Sequence, residues 1–419
     1  MAPERTVQLD DALFRTDCPN GLVVVTERIL SVRSAAMGIW VRTASGHETR
    51  AKMGVSHLLE HLVFKGTERR TAREIAMSLE SRGGSLDAFT SRDHTGYQAH
   101  VLDADLPLAL DVLTDLVRRP LLRDSDLSLE RNVVLEELNG VLDTPDDLVG
   151  ELWNETIWPD HPYGYSILGT PESVGALQAD DLRGVHTLGY YPGNSVIAVA
   201  GNVDHGAVME MLEGEGWFAG EAKAPQPGVS GAQAVHGALR RETRDLQQVH
   251  AILGTDTVSA NDERRWGMAL LTAVIGGGMS SRLFQRVREE LGLCYAIHAW
   301  HGAYRAAGAF GIYVGTQPAT ADRALEAIDQ ELARISREGV PADELADAKG
   351  QLKGNVMLAL ESTVSRMNRL AVHVLNDERY RSIDEVLRLV DGVTVEETAI
   401  LSHAFLTPER MTTVRLGPA

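Results

Sequence analysis

The sequence predicts an α+β protein made of two similar domains, and three observations support this fold class. A chain of 419 residues is too long for one ordinary core and suits two domains of about 200 residues each. The predicted strands and helices recur in the same order in both halves, with an offset of about 210 residues. A stretch rich in Gly, Ala and Pro lies between the halves. We therefore expect an N-terminal domain over residues 1–215, a linker over 216–240 and a C-terminal homologous domain over 241–419.

The elements of the first half are recognised from turn signals, alternation and helical periodicity. Runs of apolar and β-branched residues on both sides of Pro19-Asn20-Gly21 indicate two strands. Thr71 and Glu74 have the spacing of a capping box, which marks the start of a helix. The predicted elements are, in chain order, strands over 13–16, 22–27 and 36–43, a helix over 54–64, a helix from residue 71, strands over 85–90 and 96–101, a helix over 105–118 and a buried strand over 195–200.

The second half repeats this order and indicates an internal duplication. Its predicted elements are a strand over 248–254, helices over 263–275 and 281–290, strands over 293–300 and 308–315, and helices over 321–338 and 342–361. The helix over 263–275 stands where the first half has its helix over 54–64. The Gly-rich turn from Gly276 lacks the ending of a Walker motif, so it is either a flexible turn or a loop that contacts a peptide.

Composition and charge exclude several classes of protein. The hydrophobic content of 44% and the charged content of 24% are typical of a soluble globular protein. No apolar run approaches the roughly 18 residues that span a membrane. A formal net charge of −19 argues against nucleic acid or an anionic membrane surface as the main partner. Because the start of the chain lacks a secretory pattern and only Cys18 and Cys294 are present, we expect no disulfide framework and a cytoplasmic location.

Five residues, His57-Leu-Leu-Glu-His61, form the most informative motif of the chain. Two histidines at positions i and i+4 lie on one face of a helix, one turn apart, and both rings can reach one tetrahedral zinc ion. Glu60 shares this face, so it can serve as the base for water bound to the metal. This H-x-x-E-H order is that of the inverted zincins. A catalytic zinc normally has three protein ligands, so a third ligand is needed.

The helix predicted from Asp126 to Leu138 offers this ligand. Glu130 and Glu137 are seven residues apart and share a face, whereas Glu136 points about 100° away from Glu137. We therefore expect Glu137 to be the third ligand, with Glu130 supporting the site from behind. Glu136 is expected to be solvated.

Three segments carry a resemblance to a known family: His57-Leu-Leu-Glu-His-Leu-Val-Phe-Lys-Gly-Thr67, Gly83-Gly-Ser-Leu-Asp-Ala-Phe-Thr-Ser-Arg92 and Glu130-Arg-Asn-Val-Val-Leu-Glu-Glu137. They resemble the pitrilysin-type inverted-zincin metallopeptidases. Within them they are similar to the branch of the mitochondrial processing peptidase β subunit and its bacterial relatives. In that family the ligand glutamate follows the motif by about 76 residues, and here 137 − 61 = 76. The likeness extends over nearly the whole chain.

The resemblance implies an architecture, a cofactor and partners. Each domain would be a mostly antiparallel sheet covered by helices, and the two domains would form half of a clamshell. The chain would bind one Zn²⁺ and would pair as a homodimer or with an inactive homologous subunit. The substrate would be an unfolded peptide or a presequence-like segment that lies extended in a closed chamber.

The resemblance also implies roles for residues beyond the metal site. Arg288 and Tyr295 would hydrogen-bond the developing oxyanion from the C-terminal domain. Without the resemblance, Arg288 would be read as a surface ion pair with a neighbouring glutamate and Tyr295 as an aromatic on a strand face. Asp87, Ala88 and Phe89 would contact the substrate along a strand edge. Many members of the family have asparagine where this chain has Asp87, and an ionised aspartate accepts hydrogen bonds but cannot donate them.

We therefore expect a zinc-dependent endopeptidase in which Glu60 is the general base. Two alternatives remain open at this point: a non-catalytic structural subunit, or a peptide-binding subunit that keeps a metal for stability only. Cys294 lacks an evident paired base and is not expected to be a nucleophile. Five other histidines are expected to be ordinary polar or buried residues: His94, His100, His161, His298 and His301.

Overall fold

The computed structural model describes residues 5–418, which form two sheets and fourteen α-helices. The strands are β1 Arg5–Asp10, β2 Leu13–Asp17, β3 Val23–Arg28, β4 Ser34–Val41, β5 Ser85–Thr90, β6 Thr95–Leu102, β7 Ser195–Gly201, β8 Leu239–Thr243, β9 Val249–Thr257, β10 Cys294–Ala303, β11 Gly308–Thr316 and β12 Thr412–Gly417. The helices of the first half are α1 Val55–Val63, α2 Ala72–Glu80, α3 Leu106–Arg118, α4 Asp124–Asp143, α5 Pro145–Ile157, α6 Pro171–Ala176, α7 Ala179–Gly189 and α8 His205–Gly214. Those of the second half are α9 Arg265–Gly276, α10 Ala321–Glu338, α11 Ala342–Ala359, α12 Thr363–Leu375, α13 Ile383–Gly392 and α14 Val395–Phe405, and a π-helical segment covers Phe284–Glu290.

The first sheet has seven strands in the order β1-β2-β3-β7-β4-β6-β5. Only the neighbours β3 and β7 run parallel; the other five pairs are antiparallel. The central strand β4 is almost wholly buried because its two faces enter different cores. Ile39 packs in the cluster that contains α1 and α3, whereas the next residue, Trp40, packs in the cluster that contains α12. Strand β5 lies at the edge of the sheet.

The second sheet repeats the arrangement of the first with five strands. Its order is β10-β11-β9-β12-β8, and only β12 and β8 run parallel. Strand by strand this matches β5-β6-β4-β7-β3 of the first sheet, including the position of the parallel pair. The prediction of two similar α+β domains with mostly antiparallel sheets is therefore confirmed.

Two compact units are present, and each includes a helix from the other half of the chain. The first comprises the described part of Met1–Leu138 with Ser166–Val229 and Leu358–Tyr380. The second comprises Asn139–Tyr165, Ser230–Met357 and the described part of Arg381–Ala419. Helix α12 thus belongs with the first sheet and α5 with the second. The sequence predicts two domains of one segment each, residues 1–215 and 241–419, with a linker over 216–240. These domain limits stay a prediction.

Each of these two helices is fixed to its sheet by buried polar contacts as well as apolar packing. Arg42 is buried and donates from its guanidinium to the carbonyl oxygens of Leu375 at 2.5 Å and Val374 at 2.6 Å, at the C-terminal end of α12. A cation at this end of a helix also complements its dipole. In α5, the indole nitrogen of Trp153 donates to the carbonyl oxygen of Thr412 at 3.0 Å.

Helix α1 begins at an unusual N-terminus. Gly54 precedes it with a φ of 91°, and no local side chain caps the first turn. Instead the buried carboxylate of Glu48 accepts the backbone N–H groups of Gly54 and Ser56, each at 2.8 Å. Burial raises the pKa of Glu48 to about 7, although these backbone hydrogen bonds oppose the rise.

No helix between residues 5 and 418 combines the length and the apolar character that a membrane-crossing segment requires.

Glu48 is expected to make stability depend on pH. Its carboxyl group keeps its proton in the folded protein up to about pH 7, whereas in the unfolded chain it ionises near pH 4.5. Between these values the unfolded state binds fewer protons, so the free energy of unfolding falls as pH rises, by up to about 1.4 kcal/mol per pH unit. Glu48→Gln removes this titration. We expect urea denaturation to show the variant gaining stability relative to wild type as pH rises through the same range.

Glu74→Gln is the matched control. Glu74 is exposed at the start of α2, and its hydrogen bonds with Thr71 lower its pKa. A lowered pKa stabilises the wild type as pH rises, so Glu74→Gln should not gain stability relative to wild type over this range. The absence of such a gain for Glu48→Gln as well would contradict the assignment of a raised pKa to Glu48.

Candidate metal centre

Helix α1 carries the His-Glu-His motif. It packs in the core on one side, and the side with the motif remains available to bind a metal. Leu58, Leu59 and Leu62 are buried in the core of the first unit. The rings of His57 and His61, one turn apart, have centroids separated by 4.7 Å. His57 is buried and His61 is half-buried.

Helix α4 brings Glu137 to the two histidines. Its Oε2 atom lies 3.7 Å from Nε2 of His57 and 3.6 Å from Nε2 of His61. Among residues 5–418 these three form the only group of His, Cys, Asp or Glu side chains whose ligand atoms, one from each residue, lie within 4.8 Å of one another. Ligand atoms about 2.0–2.1 Å from a tetrahedral zinc ion are roughly 3.4 Å apart, so the observed separations fit such an ion. Glu136, next to the candidate ligand, is exposed.

The chemistry of the donor set also fits zinc. Burial, and secondarily the nearby His61, lower the pKa of His57 to about 4, so that its imidazole is neutral and can offer a lone pair. The carboxylate of Glu137 adds one negative charge. The Nδ1 atom of His57 is buried without a hydrogen-bond partner among the described residues, unlike that of His61.

Glu130 supports His61 from the side opposite Glu137. It belongs to the buried stripe of α4, between Leu127 and Val134, and is only 5% exposed. Its Oε2 atom lies 3.2 Å from Nδ1 of His61, and its Oε1 atom lies 2.7 Å from Nζ of Lys65. The first contact brings Glu130 to His61, and its supporting role at a metal stays a prediction. Lys65 was not anticipated, although its position four residues after His61 is a helical spacing.

Glu60 has a hydrogen-bond partner, Thr90, that the sequence did not predict. The hydroxyl of Thr90, the last residue of β5, donates to Oε2 of Glu60 at 2.5 Å. Burial raises the pKa of Glu60, and the hydrogen bond from Thr90 partly opposes this. A carboxylate with a raised pKa is a better proton acceptor near neutral pH. The sequence carries no local signal for this contact, because Thr90 and Glu60 lie thirty residues apart on a strand and a helix.

The edge strand β5 contains the three residues expected to contact substrate. It pairs with β6 on one side only, so its other side is free of strands. Asp87 is exposed, and Ala88 and Phe89 are half-buried. The side chain of Asp87 accepts the backbone N–H of Ala88 at 2.9 Å. That N–H is therefore satisfied locally.

Arg288 and Tyr295 lie in the second unit and contact each other. The guanidinium carbon of Arg288 is 5.3 Å from the ring centroid of Tyr295 and 4.5 Å from that of Phe284. Tyr295 is 77% exposed, and Arg288 also approaches Glu289 at 3.8 Å. The ion pair that Arg288 would form without a catalytic role is thus present, and its guanidinium also lies over two aromatic rings. A role for these two residues at the metal stays a prediction.

Among its described residues, the second unit has no counterpart of the metal centre. Counted from the start of each helix, the positions of the motif in α1 correspond to Gly267, Leu270 and Leu271 in α9, all of them buried. Cys294, the first residue of β10, is a poor nucleophile, because burial raises the pKa of its thiol to about 11.

Comparisons with known proteins identify the families and relatives that this chain resembles. The family described as Insulinase (Peptidase family M16) matches residues 23–171, and the one described as Peptidase M16 inactive domain matches residues 176–352. An uncharacterized zinc protease of Mycobacterium leprae is 39% identical over 99% of this chain and 94% of its own length. An uncharacterized zinc protease of Bacillus subtilis is 38% identical over 94% of this chain and 96% of its own length.

Solved structures share the fold at lower identity. A protease from Helicobacter pylori superposes with a TM-score of 0.91 at 21% identity, and 99% of each chain is covered. A peptidase M16 inactive domain from Pseudomonas fluorescens gives a TM-score of 0.90 at 20% identity, covering 97% of this chain and 98% of that one. The names of the sequence relatives imply zinc as the metal. Taken with the two family matches, these similarities show that the chain belongs to peptidase family M16, the insulinase or pitrilysin-type family of proteases.

Proposed function

We propose that this protein is a zinc endopeptidase that cleaves unfolded peptides or presequence-like segments. The observation that carries the proposal is the convergence of the two motif histidines with Glu137 while Glu60, on the same helix, keeps a half-buried carboxylate held by Thr90. A metal kept for stability alone has no need of a base beside it. Family membership and the names of the relatives support a protease.

His57, His61 and Glu137 would hold one zinc ion per chain. When bound, zinc supplies a Lewis acid that polarises the peptide carbonyl and makes water more acidic. Glu60 would take a proton from the attacking water and pass it to the leaving nitrogen. Since Thr90 holds Oε2, the Oε1 atom of Glu60 is the one available for this proton.

The free side of β5 is the proposed platform for the substrate. An extended peptide can add to an unpaired strand edge through main-chain hydrogen bonds. The strand ends at Thr90, so a peptide laid along Asp87, Ala88 and Phe89 would run toward Glu60. Because the N–H of Ala88 is already bound by Asp87, pairing there requires either that this contact opens or that the peptide uses the neighbouring backbone groups.

Further parts of the proposal rest on the family likeness. Arg288 and Tyr295 would donate hydrogen bonds to the developing oxyanion. Two chains, or this chain and an inactive relative, would pair into a clamshell that encloses the peptide. Placement in the branch of the mitochondrial processing peptidase β subunit and a cytoplasmic location remain predictions from the sequence.

Glu60→Gln tests the activity directly. Glutamine keeps the shape of the side chain but cannot accept the proton, so we expect kcat/KM to fall by about 10²–10⁴-fold while zinc binding is retained. The measurement is cleavage of quenched fluorescent peptides by the full-length chain, with and without a zinc chelator, beside metal analysis of both proteins. Wild type that binds zinc and cleaves no peptide better than the variant would instead favour a structural or peptide-binding subunit.

Thr90→Val tests the orientation of Glu60. Valine has nearly the shape of threonine but cannot donate, so the carboxylate loses its partner. We expect kcat to fall about tenfold or more, as for the loss of a hydrogen bond to a charged group, with unchanged zinc content. Peptide cleavage at saturating substrate measures this. An unchanged kcat would show that Thr90 does not position the base.

Glu137→Gln tests the third ligand, with Glu136→Gln as its matched control. An uncharged amide is a weak zinc ligand, so we expect zinc affinity to fall by more than the roughly 10–100-fold typical of outer-sphere partners. Glu136 is exposed like Glu137 but does not belong to the group of converging ligand atoms, so its variant should bind zinc as wild type does. Competition with a chromophoric chelator measures both affinities. Equal losses in the two variants would contradict the assignment.

A further inference from the structure

The carboxylate of Glu130 is held from both sides. It is buried in the apolar stripe of α4, where an unpaired carboxylate would be strongly unfavourable. One oxygen faces Nδ1 of His61 at 3.2 Å, and the other faces the ammonium of Lys65 at 2.7 Å. Lys65 is therefore the cation within reach that compensates the charge of Glu130.

Lys65 is itself well anchored. Its backbone N–H donates to the carbonyl oxygen of Leu62 at 3.0 Å, which continues the last turn of α1. Its carbonyl oxygen accepts from the guanidinium of Arg123 at 3.2 Å. The main chain at Lys65 is thus tied both to the metal-motif helix and to the residue that precedes α4. A lysine fixed in this way can place its ammonium reproducibly against Glu130.

The orientation of His61 follows from this chain of contacts. A carboxylate only accepts hydrogen bonds, so the contact with Glu130 requires the proton of His61 to be on Nδ1. The lone pair is then on Nε2, the atom that faces Glu137 at 3.6 Å. If the carboxylate rotated away, the ring would lose the partner that selects this tautomer and this orientation.

We propose that Lys65 is a positioning residue of the zinc site, acting through Glu130 on His61. This inference rests on the proposed function, since it assumes that His61 binds zinc. Lys65 does not touch the ion or the substrate. Its effect is to keep the carboxylate of Glu130 in the one position from which it orients the imidazole.

A surface ion pair without such a role would behave differently. The side chain of Lys65 is 38% exposed, and exposed ion pairs have little effect on stability and none on a remote metal. The chain offers a matched example in Lys52, whose ammonium lies 2.7 Å from Asp181 with a side chain that is 55% exposed. The two lysines share the same pairing distance, but only Lys65 pairs with a carboxylate that contacts a candidate ligand.

The experiment is a double-mutant cycle on zinc affinity, measured by chelator competition with the full-length protein. Lys65→Met is expected to weaken zinc binding about tenfold, within the range for outer-sphere partners of metal ligands. Lys65→Arg, which keeps the charge, should restore most of the affinity, and Lys52→Met should leave it unchanged. In a Glu130→Gln background, Lys65→Met should have almost no further effect. Lys65→Gln serves in the same cycle if the methionine variant does not fold.

Two results would overturn the proposal. One is an unchanged zinc affinity in Lys65→Met, and the other is an equal loss with and without the Glu130→Gln substitution. Because affinity is measured without peptide, the outcome is independent of cleavage. A protein whose zinc affinity responds to these substitutions as described but that cleaves nothing would refute the proposed function and leave this inference intact. Wild type that fails to bind zinc would refute both.

Discussion

The nine-residue helix α1 can exist only because distant parts of the chain hold it. Isolated helices need roughly 12–15 residues to be even marginally stable in water, so its stability comes from tertiary packing. Leu58, Leu59 and Leu62 bury one side of the helix in the core. The same packing fixes the rotation of the helix about its axis, which in turn brings His57 and His61 opposite Glu137. Folding and site assembly are therefore the same event for this helix.

Local geometry explains which parts of the site could be predicted from the sequence. Positions four apart on a helix share a face, and so do positions seven apart, so the pairing of His57 with His61 and that of Glu130 with Glu137 follow from spacing. The meeting of the two pairs does not follow from spacing and was supported by the family resemblance. Thr90 is different, because its contact with Glu60 joins residues thirty apart on a strand and a helix. Nothing in either local pattern specifies that pairing. It depends on how the edge strand lies against α1.

In the fold, too, the features set by local sequence patterns could be predicted, and those set by contacts between distant segments could not. The repeated order of strands and helices predicted the duplication, and the two sheets share one strand order. The exchange of α5 and α12 between the compact units was not predicted. An amphipathic stripe shows that a helix is covered, but not which sheet covers it. Strand β8, with its alternating exposed residues beside the linker, likewise lacks the apolar run that reveals strands such as β4.

A comparison of α1 with α9 shows that a metal-binding face deprives a short helix of apolar contacts. Helix α9 buries Gly267, Leu270 and Leu271 at the positions of the motif and gains apolar contacts there. Helix α1 gives up those contacts and is held at both ends by polar side chains instead. Glu48 accepts its first N–H groups, and Lys65, whose charge has the sign that the helix dipole favours at a C-terminus, follows its last turn. The residues that secure the ends of α1 thus compensate for the face that it leaves to His57, Glu60 and His61.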